Sequence, residues 1–122
     1  WARQVAWAVD KHGADRVVGE VNNGGDLVEV NLRTVSKNLP FKKVSASRGK
    51  YIRAEPIASL YEQGKVHHVG AFPELEDQMC EWLPGDESPD RMDALVWAIT
   101  ELASGPGHVT VPPEWLSFGG RA

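Results

Sequence analysis

One carboxylate inside an apolar run constrains this chain more than any other feature. Residues 17–28 read VVGEVNNGGDLV. Val17, Val18 and Val21 have strand character, yet Glu20 sits among them. Desolvating a carboxylate is costly unless a cation or hydrogen bonds meet it. The Asn22-Asn23-Gly24-Gly25 turn that follows is too polar and too rich in glycine to extend the strand. Asp26 then opens a second apolar segment. In α/β folds, ligand and metal chemistry collects at strand ends beside such turns. The competing reading is a half-buried strand with alternating faces and Glu20 on the wet one.

Helices and short strands alternate around that stretch. Residues 1–11 carry Ala2, Val5, Ala6 and Val9 near helical spacing, and Gly13 is placed to end the helix in a left-handed cap. A strand over 17–21 follows, then a helix capped by Asp26 and running to Val35. Asn38-Leu39-Pro40 breaks it. FKKVSA, residues 41–46, reads as a second strand, and Ser47-Arg48-Gly49 as a loop. Residues 50–64 give a helix with Pro56 opening its regular part after a preliminary turn, and Gly64 stops it. KVHHV, residues 65–69, reads as a third strand or hairpin arm. A helix over 74–83 turns Leu75, Met79 and Trp82 inward. The last helix, 90–103, has Ser88 as cap and Pro89 as its first residue. Its buried face holds Met92, Leu95, Val96, Ile99, Leu102 and Ala103. Residues 1–104 form the folded part, and 105–122 a Gly/Pro-rich tail.

A chain of 122 residues fits one domain. No run approaches the roughly 18 apolar residues of a membrane span, and no signal-peptide pattern is visible. The chain opens on Trp1, which reads as a piece of a longer or processed protein. A lone Cys80 forms no internal disulfide, which suits a reducing compartment, and its amphipathic setting predicts a core position. The net charge of −4 hides an uneven distribution. Residues 30–54 hold seven basic side chains and no acid: Arg33, Lys37, Lys42, Lys43, Arg48, Lys50 and Arg53. Such a segment meets phosphates locally whatever the total charge, or forms a solvated surface. Residues 74–93 hold eight acids against Arg91 alone, a divalent-metal site or a soluble face.

Asp90 and Asp93 lie three apart in the first turn of a helix, nearly on one face. Helix-dipole electrostatics alone favours acids there. Asp93, however, runs straight into Ala94-Leu95-Val96-Trp97, where an acid calls for a shared cation. Glu20 and Asp93 could converge on one Mg²⁺ or Mn²⁺, ions that prefer oxygen ligands. Carboxylates ~4 Å apart repel by roughly 1–4 kcal/mol until a metal neutralises them. Adjacent His67 and His68 would point to opposite faces of a strand, which favours a structural or solvated role. The chain has no zinc-type Cys/His spacing, no Walker-type phosphate loop and no assignable Ser/His/Asp triad.

Three blocks together carry a resemblance: RVVGEVNNGGDLVEVNLR, KKVSASRGKYIRAEPIASLYEQGKVHHVG and SPDRMDALVWAITEL. In this order, over residues 17–102, they resemble the C-terminal nuclease domain of the phage terminase large subunit. The resemblance implies an α/β, ribonuclease H-like mixed sheet flanked by helices, here N-terminally truncated with its first strands missing. It implies a metal-dependent endonuclease that cuts concatemeric viral DNA during packaging in the cytoplasm of a bacterial host. Glu20 then matches the acid on the fourth strand and Asp93 the acid on the late helix, with Asp90 an accessory ligand to a two-metal Mg²⁺ or Mn²⁺ site. The first acid of the triad and an ATPase domain lie upstream, so the piece alone should be inactive. Double-stranded DNA, the small terminase subunit and the portal are the partners implied. From charge placement, Arg48, Lys50 and Arg53 are the candidate DNA contacts. Two alternatives stay open: a non-catalytic DNA-binding or packaging scaffold, and a nuclease of the resolvase or transposase type.

Overall fold

The computed structural model describes residues 1–21, 26–45, 50–83, 85–87 and 89–103, the side chains of residues 26 and 50–52 excepted. The expected turn at 22–25, the Asp26 and Ser88 caps, Arg48, the Lys50 side chain and the 105–122 tail lie outside the described residues. The chain divides into two compact units, Trp1–Ser47 and Arg48–Ala122.

The first unit runs α1 (Ala2–His12), β1 (Val17–Glu20), α2 (Asp26–Val35) and β2 (Phe41–Val44). Gly13 ends α1 at φ 60°, ψ 39°, and the Ala14 N–H donates to the Val9 carbonyl at 3.0 Å. That is the left-handed closure the sequence predicts, at a φ that glycine adopts without penalty. β1 and β2 pair in parallel, Val17 opposite Phe41 and Glu20 opposite Val44. Parallel neighbours need a crossover, and α2 supplies it. Both strands therefore end at the same edge, where Glu20 stands. The Val21 N–H still donates to the Val44 carbonyl at 2.9 Å, one residue past the strand. Gly19 is glycine for lack of space: a Cβ there would lie 2.5 Å from the Phe41 ring. All four β1 residues are half-buried, so the alternation of a strand with one wet face is missing.

Among the described residues, Leu32 and Leu39 are the buried apolar side chains of this unit. The Arg33 guanidinium ties off α2 by donating to the Lys37 and Leu39 carbonyls, both at 2.9 Å. Glu29 lies between Lys43 of β2 at 2.9 Å and Arg33 at 3.4 Å. The Lys43 hydrogen bond, with help from Arg33, holds the Glu29 carboxyl below its ordinary value. Its folded pKa therefore lies below the unfolded one. The contribution to stability is complete above about pH 4.3 and is lost as pH falls through the folded value. Urea midpoints should put Glu29→Gln below the parent at pH 7, with the gap closing as pH drops below about 4.

The second unit holds α3 (Lys50–Glu62), α4 (Pro73–Glu81) and α5 (Asp90–Ala103). Ile57, Leu60 and Val96 form its centre, with Ala54, Tyr61, Val66 and Ile99 packed around them. α3 and α4 each pack on α5. Gly64, at φ 69°, closes α3: its N–H donates to the Tyr61 carbonyl and that of Lys65 to Leu60, both at 3.0 Å.

Several expectations change. Pro56 lies inside one continuous helix and does not open it. The missing proline donor costs α3 a hydrogen bond, and the Ile57 and Leu60 contacts just beyond hold the helix through it. Residues 65–69 are not a strand; the pairing among the described residues is between β1 and β2. β2 stops at Val44. α4 ends at Glu81, because Trp82 turns extended (φ −69°, ψ 132°) and Leu83 precedes a proline, a position that disfavours helix. Cys80 is exposed, not core. It shares the outer side of α4 with Asp77 and Glu81, while Leu75 and Met79 lie partly buried on the other. α5 begins at Asp90, one residue after the predicted Pro89.

Candidate functional site

The acids singled out by the sequence stand at two element ends. In the first unit, Glu20 closes β1, half-buried, at the edge where the parallel strands end. In the second unit, Asp90 and Asp93 occupy the first turn of α5. The Pro89 carbonyl accepts from the Asp93 N–H at 3.0 Å, which sets Asp90 as the first helical residue. Asp90 is exposed and Asp93 half-buried, so one turn of helix gives two acids of different character.

That turn is fixed from α4. A helix leaves its first N–H groups without intrahelical partners. Gln78 supplies one acceptor: its Oε1 takes the Met92 N–H at 3.2 Å. Gln78→Ala should lower stability by about 1 kcal/mol in urea melts and speed amide exchange at Met92, since a part-buried donor loses its acceptor.

Asp93 is met by a cation from α3. Arg53 Nη2 lies 4.0 Å from Asp93 Oδ1, with side-chain exposures of 12% and 19%. The guanidinium also lies over the Trp97 ring, 4.8 Å from its centroid. Trp97 is one turn beyond Asp93 on α5. The structure thus sets Arg53, a candidate DNA contact by charge count, against a candidate metal ligand.

The other acids of residues 74–93 answer to near neighbours. Glu74 pairs with Arg91 on the surface, and an Asp86 carboxylate oxygen accepts from the Leu83 N–H at 3.3 Å. Glu76 takes part in a chain through His68: Tyr61 Oη to His68 Nε2 at 2.8 Å, then His68 Nδ1 to Glu76 Oε1 at 3.0 Å. A tyrosine hydroxyl donating to Nε2, with Nδ1–H donating to the carboxylate, satisfies every atom of the chain. Burial, and secondarily the Glu76 charge, raise the Tyr61 hydroxyl above its usual range. His68 stands edge-on to Tyr61 and Phe72, so it ties α3 to α4, while His67 reaches the Gly64 carbonyl at 2.7 Å.

Sequence reasoning missed Gln78, Trp97 and the Tyr61–His68–Glu76 chain. Each depends on which helix lies beside which, and no spacing along the chain records that.

Among the described residues, neither unit gathers three or more His, Cys, Asp or Glu side chains into a metal cage. The donor chemistry nevertheless fits a hard divalent cation. The candidates are all carboxylates, and the half-buried Asp93 already draws a guanidinium to itself. No described helix is long and apolar enough to cross a membrane. No curated protein and no solved structure matches the chain significantly. The family model for the terminase RNaseH-like domain does match, over residues 1–102, and the chain belongs to that family.

Proposed function

We propose that this chain carries part of a divalent-metal-dependent endonuclease that cuts concatemeric viral DNA during genome packaging in a bacterial host. Glu20 and Asp93 would hold the metal, with Asp90 as an accessory ligand. The observation that carries the reading is a terminase RNaseH-like match over residues that put Glu20 at a parallel strand end and Asp93 in a helix first turn. When bound, a pair of Mg²⁺ or Mn²⁺ ions would lower the pKa of a water and stabilise the leaving oxygen of the phosphodiester.

The protein's own part is placement. A strand end and a helix start hold carboxylates more firmly than a loop does. The N-terminal end of α5 adds positive potential beside Asp90 and Asp93, an electrostatic setting that suits acidic side chains. Arg48 and Lys50 would bind phosphates without reading sequence, so affinity should fall steeply with salt. By family resemblance, a third acid would stand on a strand preceding α1. An ATPase domain of the parent chain, the small subunit and the portal are the proposed partners.

The test is supercoiled plasmid with Mn²⁺, incubated with the chain, with a form extended upstream, and with Glu20→Gln in the extended form. We expect little cutting by the first, strong cutting by the second and loss in the third. DNA binding without cutting by the extended form would point to a packaging scaffold. Full cutting by the Gln variant would remove Glu20 from the site.

A further inference from the structure

We propose that Arg53 is the resident counter-cation of Asp93: a positioning residue that holds this carboxylate in the metal-free chain and that a divalent cation must displace. The inference rests on the reading of Asp93 as a metal ligand.

Three observations support it. First, the two charges meet where little water reaches them, with Arg53 less exposed than Asp93. A guanidinium so placed is costly without an anion nearby. Second, Arg53 is gripped by two residues of one helix, Asp93 beside it and the Trp97 ring beneath it. Arginine suits this double contact because its planar, delocalised charge stacks on a ring and faces a carboxylate together. Third, Arg53 lies one turn from Ile57, in the core that seats α3 on α5. The packing that builds the unit therefore also sets the cation against the acid.

At 4.0 Å this contact is electrostatic and longer than a hydrogen bond. It orients Asp93 while leaving exchange for a stronger cation feasible. Two cations at one carboxylate repel each other, so the guanidinium charge must weaken metal binding there. Arg53 would then serve the metal site, and DNA phosphates would fall to other basic residues.

The test reads Mn²⁺ binding to the full chain by electron paramagnetic resonance of the free ion, without DNA or turnover. Arg53→Gln removes the charge, and we expect about tenfold tighter Mn²⁺ binding. We also expect a lower melting temperature without metal and a larger rise when Mn²⁺ is added. Arg53→Lys, which keeps the charge, should stay within about threefold of the parent. Asp93→Asn should lose the site. A folded Arg53→Gln with unchanged or weaker Mn²⁺ affinity overturns the inference and leaves Asp93 as a ligand. Parent-like Mn²⁺ binding by Asp93→Asn overturns the ligand reading and this inference with it. Should Arg53→Gln fail to fold, Mg²⁺ titration of the unmodified chain decides through the Arg53 side-chain N–H resonances. They should shift with Mg²⁺ in the parent and stay put in Asp93→Asn; no shift in the parent overturns the proposal.

Discussion

Asp93→Asn is expected to lower Mn²⁺-dependent plasmid cutting at least ~100-fold, above the ~10–100-fold that losing an outer partner of a metal site costs. The measurement belongs on the form extended upstream, with DNA binding at fixed salt staying within about threefold. The amide keeps the shape of the side chain and removes only its charge, so a loss of rate without a loss of DNA affinity assigns the charge to chemistry. Stability must be followed in parallel. Asp93 sits against an arginine whose side chain is only 12% exposed, and removing this anion leaves the cation in a poorly solvated place. Breaking a fully buried pair costs about 3–5 kcal/mol; with partial exposure, about 2 kcal/mol is a fair expectation. That should lower the melting temperature by roughly 5–10 °C. The variant should therefore be assayed well below its transition. Asp90→Asn provides the contrast. Asp90 is exposed in the same helical turn, and losing its favourable dipole interaction should cost about 0.3–1 kcal/mol. As an accessory ligand it should reduce cutting by no more than about tenfold. Equal losses from the two substitutions would mean that the half-buried setting of Asp93 has no bearing on its role.

Asp93 stood out as a candidate because an acid that runs directly into Ala94-Leu95-Val96-Trp97 is a local conflict, and the structure meets that conflict with Arg53. Glu20 stood out as a candidate for the same reason, set among valines, and the structure puts it half-buried at a strand end. The helices announced themselves through 3.6-residue periodicity, and Gly13 and Gly64 marked two of their ends. Tertiary contacts decided the rest. KVHHV has valines enough for a strand, but His68 bonds Tyr61 and Glu76 and holds the segment as a connector. Cys80 lies in an amphipathic stretch, yet the register of α4 on α5 puts it outside. Arg53 counted as one of seven basic residues in the acid-free stretch 30–54. The acid it meets lies forty positions later, on a helix that only the fold brings alongside.

Leu60→Ala should be the most destabilising single truncation in the second unit. Leu60 is 1% exposed and packs with Ile57 and Val96, which together hold α3 on α5. Cutting a buried leucine to alanine removes its transfer free energy and leaves a cavity, about 2–5 kcal/mol in all. Against a typical total of about 5–15 kcal/mol, that is a large share of the stability. Urea melts followed by tryptophan fluorescence should show the shift. Leu60→Met, which nearly conserves volume, should cost less than about 1.5 kcal/mol. Leu102→Ala, at a position 63% exposed on the same α5, should stay within about 0.5 kcal/mol. Comparable losses from Leu60→Ala and Leu102→Ala would contradict the α3–α5 core. The substitution also reaches the site, because Arg53 and Asp93 belong to the two helices that this leucine clamps. Where Leu60→Ala is still folded by circular dichroism, α3 should sit less firmly on α5 and hold its guanidinium less steadily against the carboxylate. Its Mn²⁺ affinity should then move toward that of Arg53→Gln, although residue 60 touches neither charge. An affinity unchanged from the parent would mean that the core and the charge pair are set independently.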